Sequence, residues 1–160
     1  MGISSLKSVG EKPIWHGPED GLVRQTRFVF SDGYSIKTRI LHIRERSDGS
    51  GTLHVFSVDH RSSKPSYVER SSVIKLNVAA IRKINRLAET SGTFGFESGT
   101  WDDEGDFFTH CQILEMERID ALGYRYSSVN IGCNQPAKLM PLVEHVMALA
   151  GIKRRDPQLL

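Results

Sequence analysis

The feature that most constrains this chain is a run of short alternating segments, broken at close intervals by Asp-Gly turns. From Leu22 to Phe30, apolar and polar residues alternate, with Leu22, Thr26, Phe28 and Phe30 on one face. That period of two defines a half-buried strand. Ser31-Asp32-Gly33 is a turn. Alternation resumes from Tyr34 to Arg46, with Tyr34, Ile36 and Ile40 on one face and Lys37 and Arg39 on the other. After a second turn at Ser47–Gly51, Thr52 to His60 makes a third strand. Strands joined by turns this short must be antiparallel neighbours, so the three form a meander.

The first hairpin has a preferred register. A three-residue loop with Gly33 in the left-handed conformation pairs Phe30 with Tyr34 and Phe28 with Ile36. Arg27 then stands opposite Lys37, and burial of two aromatic pairs outweighs that like-charge contact. In this register Leu41, Ile43, Leu53 and Val55 lie opposite the chosen core face. Something must then cover them: a helix, the N-terminal segment or another subunit.

Residues 61–70 read as a loop. Ser71 or Ser72 can cap a helix running to about Ala88, with Ile74, Val78, Ile81, Ile84, Leu87 and Ala88 at helical spacing and Ser91-Gly92 as its end. The order then repeats. Thr93 to Phe96 is a short strand, Gly99 to Gly105 an acidic turn, Asp106 to Ile119 a long strand, and Tyr124 to Ile131 another. Pro136 and Pro141 open a last helix that ends at Ala150, with Gly151 as its C′ residue. Leu139, Leu142, Val143, Val146 and Leu149 form its inward face. The sequence thus predicts an α+β fold, an antiparallel sheet of about six strands with two main helices on one face. The shared order of the halves is that of a duplicated βββα unit. Residues 1–13 read as a flexible arm, 14–151 as a single domain and 152–160 as a polar tail.

A chain of 160 residues with 39% hydrophobic and 25% charged residues can bury a core without metals or disulfides. No apolar run is long enough to span a membrane. The N-terminus has no signal-peptide stretch, and Leu6 stands where a myristoylation signal needs Ser or Thr. The expected compartment is cytoplasmic. Cys111 and Cys133 read as reduced, half-buried strand residues.

Chemical signatures are weak. The sequence has no phosphate-binding glycine loop, nucleophile elbow, H-E-x-x-H or C-x-x-C. His42 and His54 fall on one face of neighbouring strands but lack a third metal ligand, so no metal or cofactor is expected. Asp59 and His60 are adjacent on a strand, point apart and do not make a dyad. Trp101, Asp102, Asp103 and Glu104 form an acidic turn that could grip a basic partner, with Trp101 as the anchor.

Charge is uneven. Residues 1–90 hold 15 Lys and Arg against 9 Asp and Glu, while residues 91–160 hold 6 against 10. Halves of opposite sign imply complementary contact within the fold or between subunits. The sequence therefore points to a non-catalytic protein-interaction module, capable of self-association as a homodimer. Arg24, Arg39, Arg44 and Arg82 would meet Asp102, Asp103 and Glu104 of a second copy. Two other readings remain open. One is a small-molecule-binding protein or small enzyme, with Tyr34, His42 and His54 between helices and sheet. The other is nucleic-acid binding on the first hairpin, where Arg24, Arg27, Lys37, Arg39, Arg44 and Arg46 interleave with Phe28, Phe30 and Tyr34.

Overall fold

A computed structural model of the chain describes residues 6–7, 9–32, 37–60, 67–94, 112–132 and 136–152. Six strands form one antiparallel sheet: β1 (Leu22–Asp32), β2 (Lys37–Arg46), β3 (Gly51–Asp59), β4 (Tyr67–Leu76), β5 (Gln112–Asp120) and β6 (Gly123–Asn130). Helix α1 (Val78–Ser91) follows β4, and α2 (Met140–Leu149) follows β6. The sheet order is β4-β3-β2-β1-β5-β6, which puts the first strand in the middle. The α+β class, the antiparallel six-stranded sheet and the two helices agree with the sequence reading. The duplicated βββα unit is not confirmed: among the described residues, four strands precede α1 and two follow it.

The hairpin register differs from the one expected. Phe28 pairs with Leu41 and Phe30 with Arg39, so Arg27 meets His42 and Lys37 meets Asp59. This shift reverses the faces of β2 and β3. Leu41, Ile43, Leu53 and Val55 now point toward the helices. The first three are buried, and Val55 packs against the same core. Ile40 turns to the opposite side, beside Val29 and Val58. Tyr34 and Ile36, the partners expected for the aromatics, lie outside the described residues. The apolar outer face invoked for self-association is therefore the interior of a single chain.

The core between sheet and helices gathers Phe28, Phe30, Leu41, Leu53, Leu114 and Met116 from the strands. Ile81, Ile84, Leu142 and Val146 meet them from the helices. Gly51 marks a close approach. A Cβ there would stand 2.4 Å from the Arg44 carbonyl oxygen and 3.0 Å from Ile81 Cδ1. Backbone cannot give way as a side chain can. Gly51→Ala should therefore destabilise the fold by roughly 1–3 kcal/mol, measured by chemical denaturation.

Helix α1 starts later than the Ser71-Ser72 pair suggests. Those serines lie in β4, an edge strand with Ile74 facing the core and Val73 and Lys75 facing water. The cap is Asn77, whose side-chain oxygen accepts the Ala80 N–H at 2.9 Å. Gly92, at φ 70°, ends the helix. Asn77→Ala should cost about 1 kcal/mol, the usual worth of such a cap, in the same denaturation experiment. In the second half, Thr93 and Phe94 form a turn, not a strand, and the Phe94 ring joins the core. Residues 95–111, including the acidic turn, His110 and Cys111, lie outside the described residues, as does Cys133.

Candidate functional site

One face of the sheet is covered by the helices. The other carries the chain's polar chemistry. Alternation on β1 and β2 sends Gln25, Arg27, His42 and Arg44 to this second face, and Glu117 joins them from β5. Leu6, Val9, Glu11 and Lys12, within the arm expected over residues 1–13, lie along it. Leu6 and Val9 pack against Val29, Ile40, Val58 and Phe56. Glu11 enters between the strands.

The geometry around Glu11 is tight. Arg27 donates to the Glu11 carboxylate at 3.0 Å, to Glu117 at 2.9 Å and to the Lys12 carbonyl at 2.7 Å. His42 Nδ1 donates to Glu11 Oε2 at 2.6 Å, and Arg44 reaches Glu11 Oε1 at 3.3 Å. The Arg27 and His42 side chains are fully buried, and that of Glu11 is 4% exposed. On the far side, Tyr124 donates its hydroxyl to Glu117 at 2.7 Å. Burial, reinforced by Glu117, pushes the Tyr124 phenol well above its ordinary range, so it remains a donor.

The protonation of His42 follows from its partners. The Glu19 backbone N–H donates to Gln25 Oε1 at 2.9 Å, which fixes the Gln25 amide. Its nitrogen, which can only donate, then faces His42 Nε2 at 3.2 Å. His42 Nε2 must therefore accept, and the ring is neutral with its proton on Nδ1, shared with Glu11. Burial lowers the His42 pKa below 6.5, and Arg27 and Arg44 reinforce this against the pull of Glu11. Burial pushes Glu11 up, but the His42 hydrogen bond and the positive charge around it hold the carboxyl down at about 2.

These shifts fix the pH response. The unfolded chain takes up a proton at His42 near 6.5 that the folded chain refuses, so stability falls as pH drops through that value. Glu11 adds a second loss between its ordinary 4.5 and about 2. The unfolding midpoint should decline from about pH 6.5 downward. Gln25→Glu, whose carboxylate would accept from a protonated His42 Nε2, should flatten the upper part of that decline.

A second polar cluster lies at the helix side of the sheet. Arg24 bonds Glu45 at 3.1 Å and Asp120 at 3.2 Å, and Arg125 bonds Asp120 at 2.5 Å. Arg118 donates to Thr26, reaches Asn85 of α1 and stands 4.3 Å over the Phe94 ring. Burial lowers its pKa to about 10. The complementary charge of the two halves is thus realised within the fold, by Arg24–Asp120 here and Arg27–Glu117 on the open face.

Of the described residues singled out from sequence, the two histidines meet and the arginines do not gather. His42 and His54 are directly paired on β2 and β3, with ring centroids 6.5 Å apart. They sit on the open face, not in a crevice between helices and sheet. Burial, then Arg44, lowers the His54 pKa. Arg24 and Arg39 fall on the helix side, Arg44 on the open face, and Arg82 is exposed on α1, so the four make no common patch. Arg24, Arg27 and Arg44 of the basic hairpin are engaged by carboxylates of the same chain. Tyr34, Trp101, Asp102, Asp103 and Glu104 lie outside the described residues. Among the described residues, no group of three or more His, Cys, Asp or Glu is placed to hold a metal ion, and no helix is long and apolar enough to cross a membrane.

What sequence reasoning missed is an aromatic ledge at the β5–β6 end of the open face. Trp15 stacks edge-on against Tyr124 with centroids 6.4 Å apart, and Tyr126 follows on the same face of β6. All three are more than a third exposed. Among the described residues, strand β6 bounds the ledge and ends the sheet. The Ile131 N–H bonds the Gln112 carbonyl, so the antiparallel alternation turns the backbone groups of Tyr124, Tyr126 and Ser128 outward. Edges normally carry exposed charge, proline or a bulge that blocks further pairing. The β6 sequence GYRYSSVN has no proline, its ladder to β5 is regular, and its one charge, Arg125, is buried against Asp120. At the other edge, β4 exposes Lys75 and its ladder to β3 shifts register.

Comparison with known proteins finds no matching family model. No curated protein matches the chain either.

Proposed function

We propose that this α+β domain is a non-catalytic protein-interaction module. It takes an extended segment of a partner onto the outer side of β6, and the Trp15–Tyr124–Tyr126 ledge contacts the incoming side chains. The observation that carries this reading is the edge of β6, unpaired among the described residues, beside three exposed aromatics. Main-chain bonds supply affinity in strand addition, and alternate side chains supply selectivity. Tyr and Trp favour such surfaces because they bury large area at little entropic cost.

Two substitutions test it. Ser128→Pro removes an outward N–H while leaving the bonds to β5. Tyr126→Ala removes part of the ledge. Tagged wild-type chain and both variants would be used for affinity capture from the source cells, with light scattering to detect a second copy as the partner. A protein retained by wild type and lost from both folded variants supports the reading. The same proteins retained by all three contradict it.

A further inference from the structure

Three donors from rigid strands converge on one carboxylate, and that carboxylate arrives on a segment outside the sheet. Arg27 on β1 and His42 and Arg44 on β2 point their polar atoms at Glu11, at 2.6 to 3.3 Å. The donors exceed what Glu11 uses. The Nε–H groups of Arg27 and Arg44 are buried and have no hydrogen-bond partner among the described residues. A cluster that served only to hold the fold would be better replaced by apolar side chains of similar volume, since buried charges cost desolvation that pairing rarely recovers in full. A cradle built from the sheet and filled from outside it has the form of a receptor with its ligand attached.

We propose that Arg27, His42 and Arg44 form a carboxylate-binding site that Glu11 occupies in cis. The segment that carries Leu6, Val9 and Glu11 is then a displaceable strap across the open face, and its competitor is a carboxylate, either a small free anion or an acidic side chain of a peptide. Arg27 already has one counter-charge in Glu117, and Arg44 has Glu19 at 3.6 Å. The site therefore accepts a single negative group and has no surplus of positive charge for a polyanion. The strap runs on into Trp15, which stacks on Tyr124, so displacing it would also rearrange the ledge. The proposal stands on the cradle alone and does not depend on the reading of β6.

Chemical rescue of the full-length chain tests it. Glu11→Ala empties the cradle, and its thermal midpoint should fall. Sodium formate should then restore more than about half of that loss in a saturable way, where sodium chloride at equal ionic strength does not. Formate should do nothing beyond the chloride effect for wild type or for Glu11→Gln, whose amide fills the same space. A peptide spanning residues 6–16, compared with the same peptide carrying Glu11→Gln, distinguishes the sources. Rescue by formate identifies a site for a free carboxylate. Rescue by the unsubstituted peptide alone identifies one that needs the flanking chain. If Glu11→Ala does not fold unaided, recovery of folded protein on refolding in formate, but not in chloride, is the same positive result. No rescue by either ligand, or equal rescue of Glu11→Gln, would overturn the proposal.

Discussion

Arg27→Met should lower the folding stability by about 3–5 kcal/mol at neutral pH, the expected cost of removing one partner from a buried ion pair. Met keeps the unbranched stem of Arg and most of its volume, so little of the loss is a cavity effect. It comes from two carboxylates. Glu11 keeps Arg44 and His42, and Glu117 keeps the Tyr124 hydroxyl, but each loses its shortest charged donor at 3.0 and 2.9 Å. Arg27 also ties the N-terminal segment to β5, through Lys12 and Glu117. Adding Glu117→Gln should recover part of the loss, because the second substitution removes a charge that the first left stranded. The two changes are then non-additive, as neighbours in one network are. Urea titration of wild type, both single variants and the double variant measures this. A cost under about 1 kcal/mol for Arg27→Met would place Arg27 in water.

Leu41→Ala should cost about 2–5 kcal/mol, the range for deleting a well-packed core leucine. Combined with Ile81→Ala, it separates two registers of the first hairpin. With Phe28 opposite Leu41, the leucine is fully buried under the helices among Phe28, Leu53 and Ile81. With Phe28 opposite Ile36, it would lie on the other side of the sheet, away from Ile81, and the costs of Leu41→Ala and Ile81→Ala would simply add. Ile81→Ala, on the facing helix, should cost a similar amount, and an unchanged midpoint would remove α1 from the core.

The error in that register has a physical origin. Strand β2 is central, and both of its faces are covered: Leu41 and Ile43 by the helices, Ile40 by Leu6 and Val9 from the strap. A strand buried on both sides reads as a continuous apolar run, here Ile40-Leu41-His42-Ile43, so alternation no longer tells which face is which. The same cause hid the site. Arg27 and His42 look like ordinary strand polars in sequence, and nothing local shows that Glu11, far away in a Ser- and Gly-rich segment, supplies their partner. Strand β4 was missed for a different reason. Ser71-Ser72 resembles a helix cap, whereas Asn77 followed by Val-Ala-Ala is the stronger signal and was available. Legible from the start were Phe28, Phe30, Ile81, Ile84, Leu142 and Val146 as core, the α+β class, and the glycines that end both helices. Those rest on local periodicity and on single residues with positive φ, which need no tertiary context.

The central claim, that the open face and its β6 edge form the working surface, is best tested by amide hydrogen exchange of the full chain, free and bound to the protein it retains in affinity capture. Exchange should slow at Tyr124, Tyr126 and Ser128, whose outward N–H groups gain partners, with little change along α1. Protection confined to α1 around Arg82, with β6 exchanging as in the free chain, would contradict it.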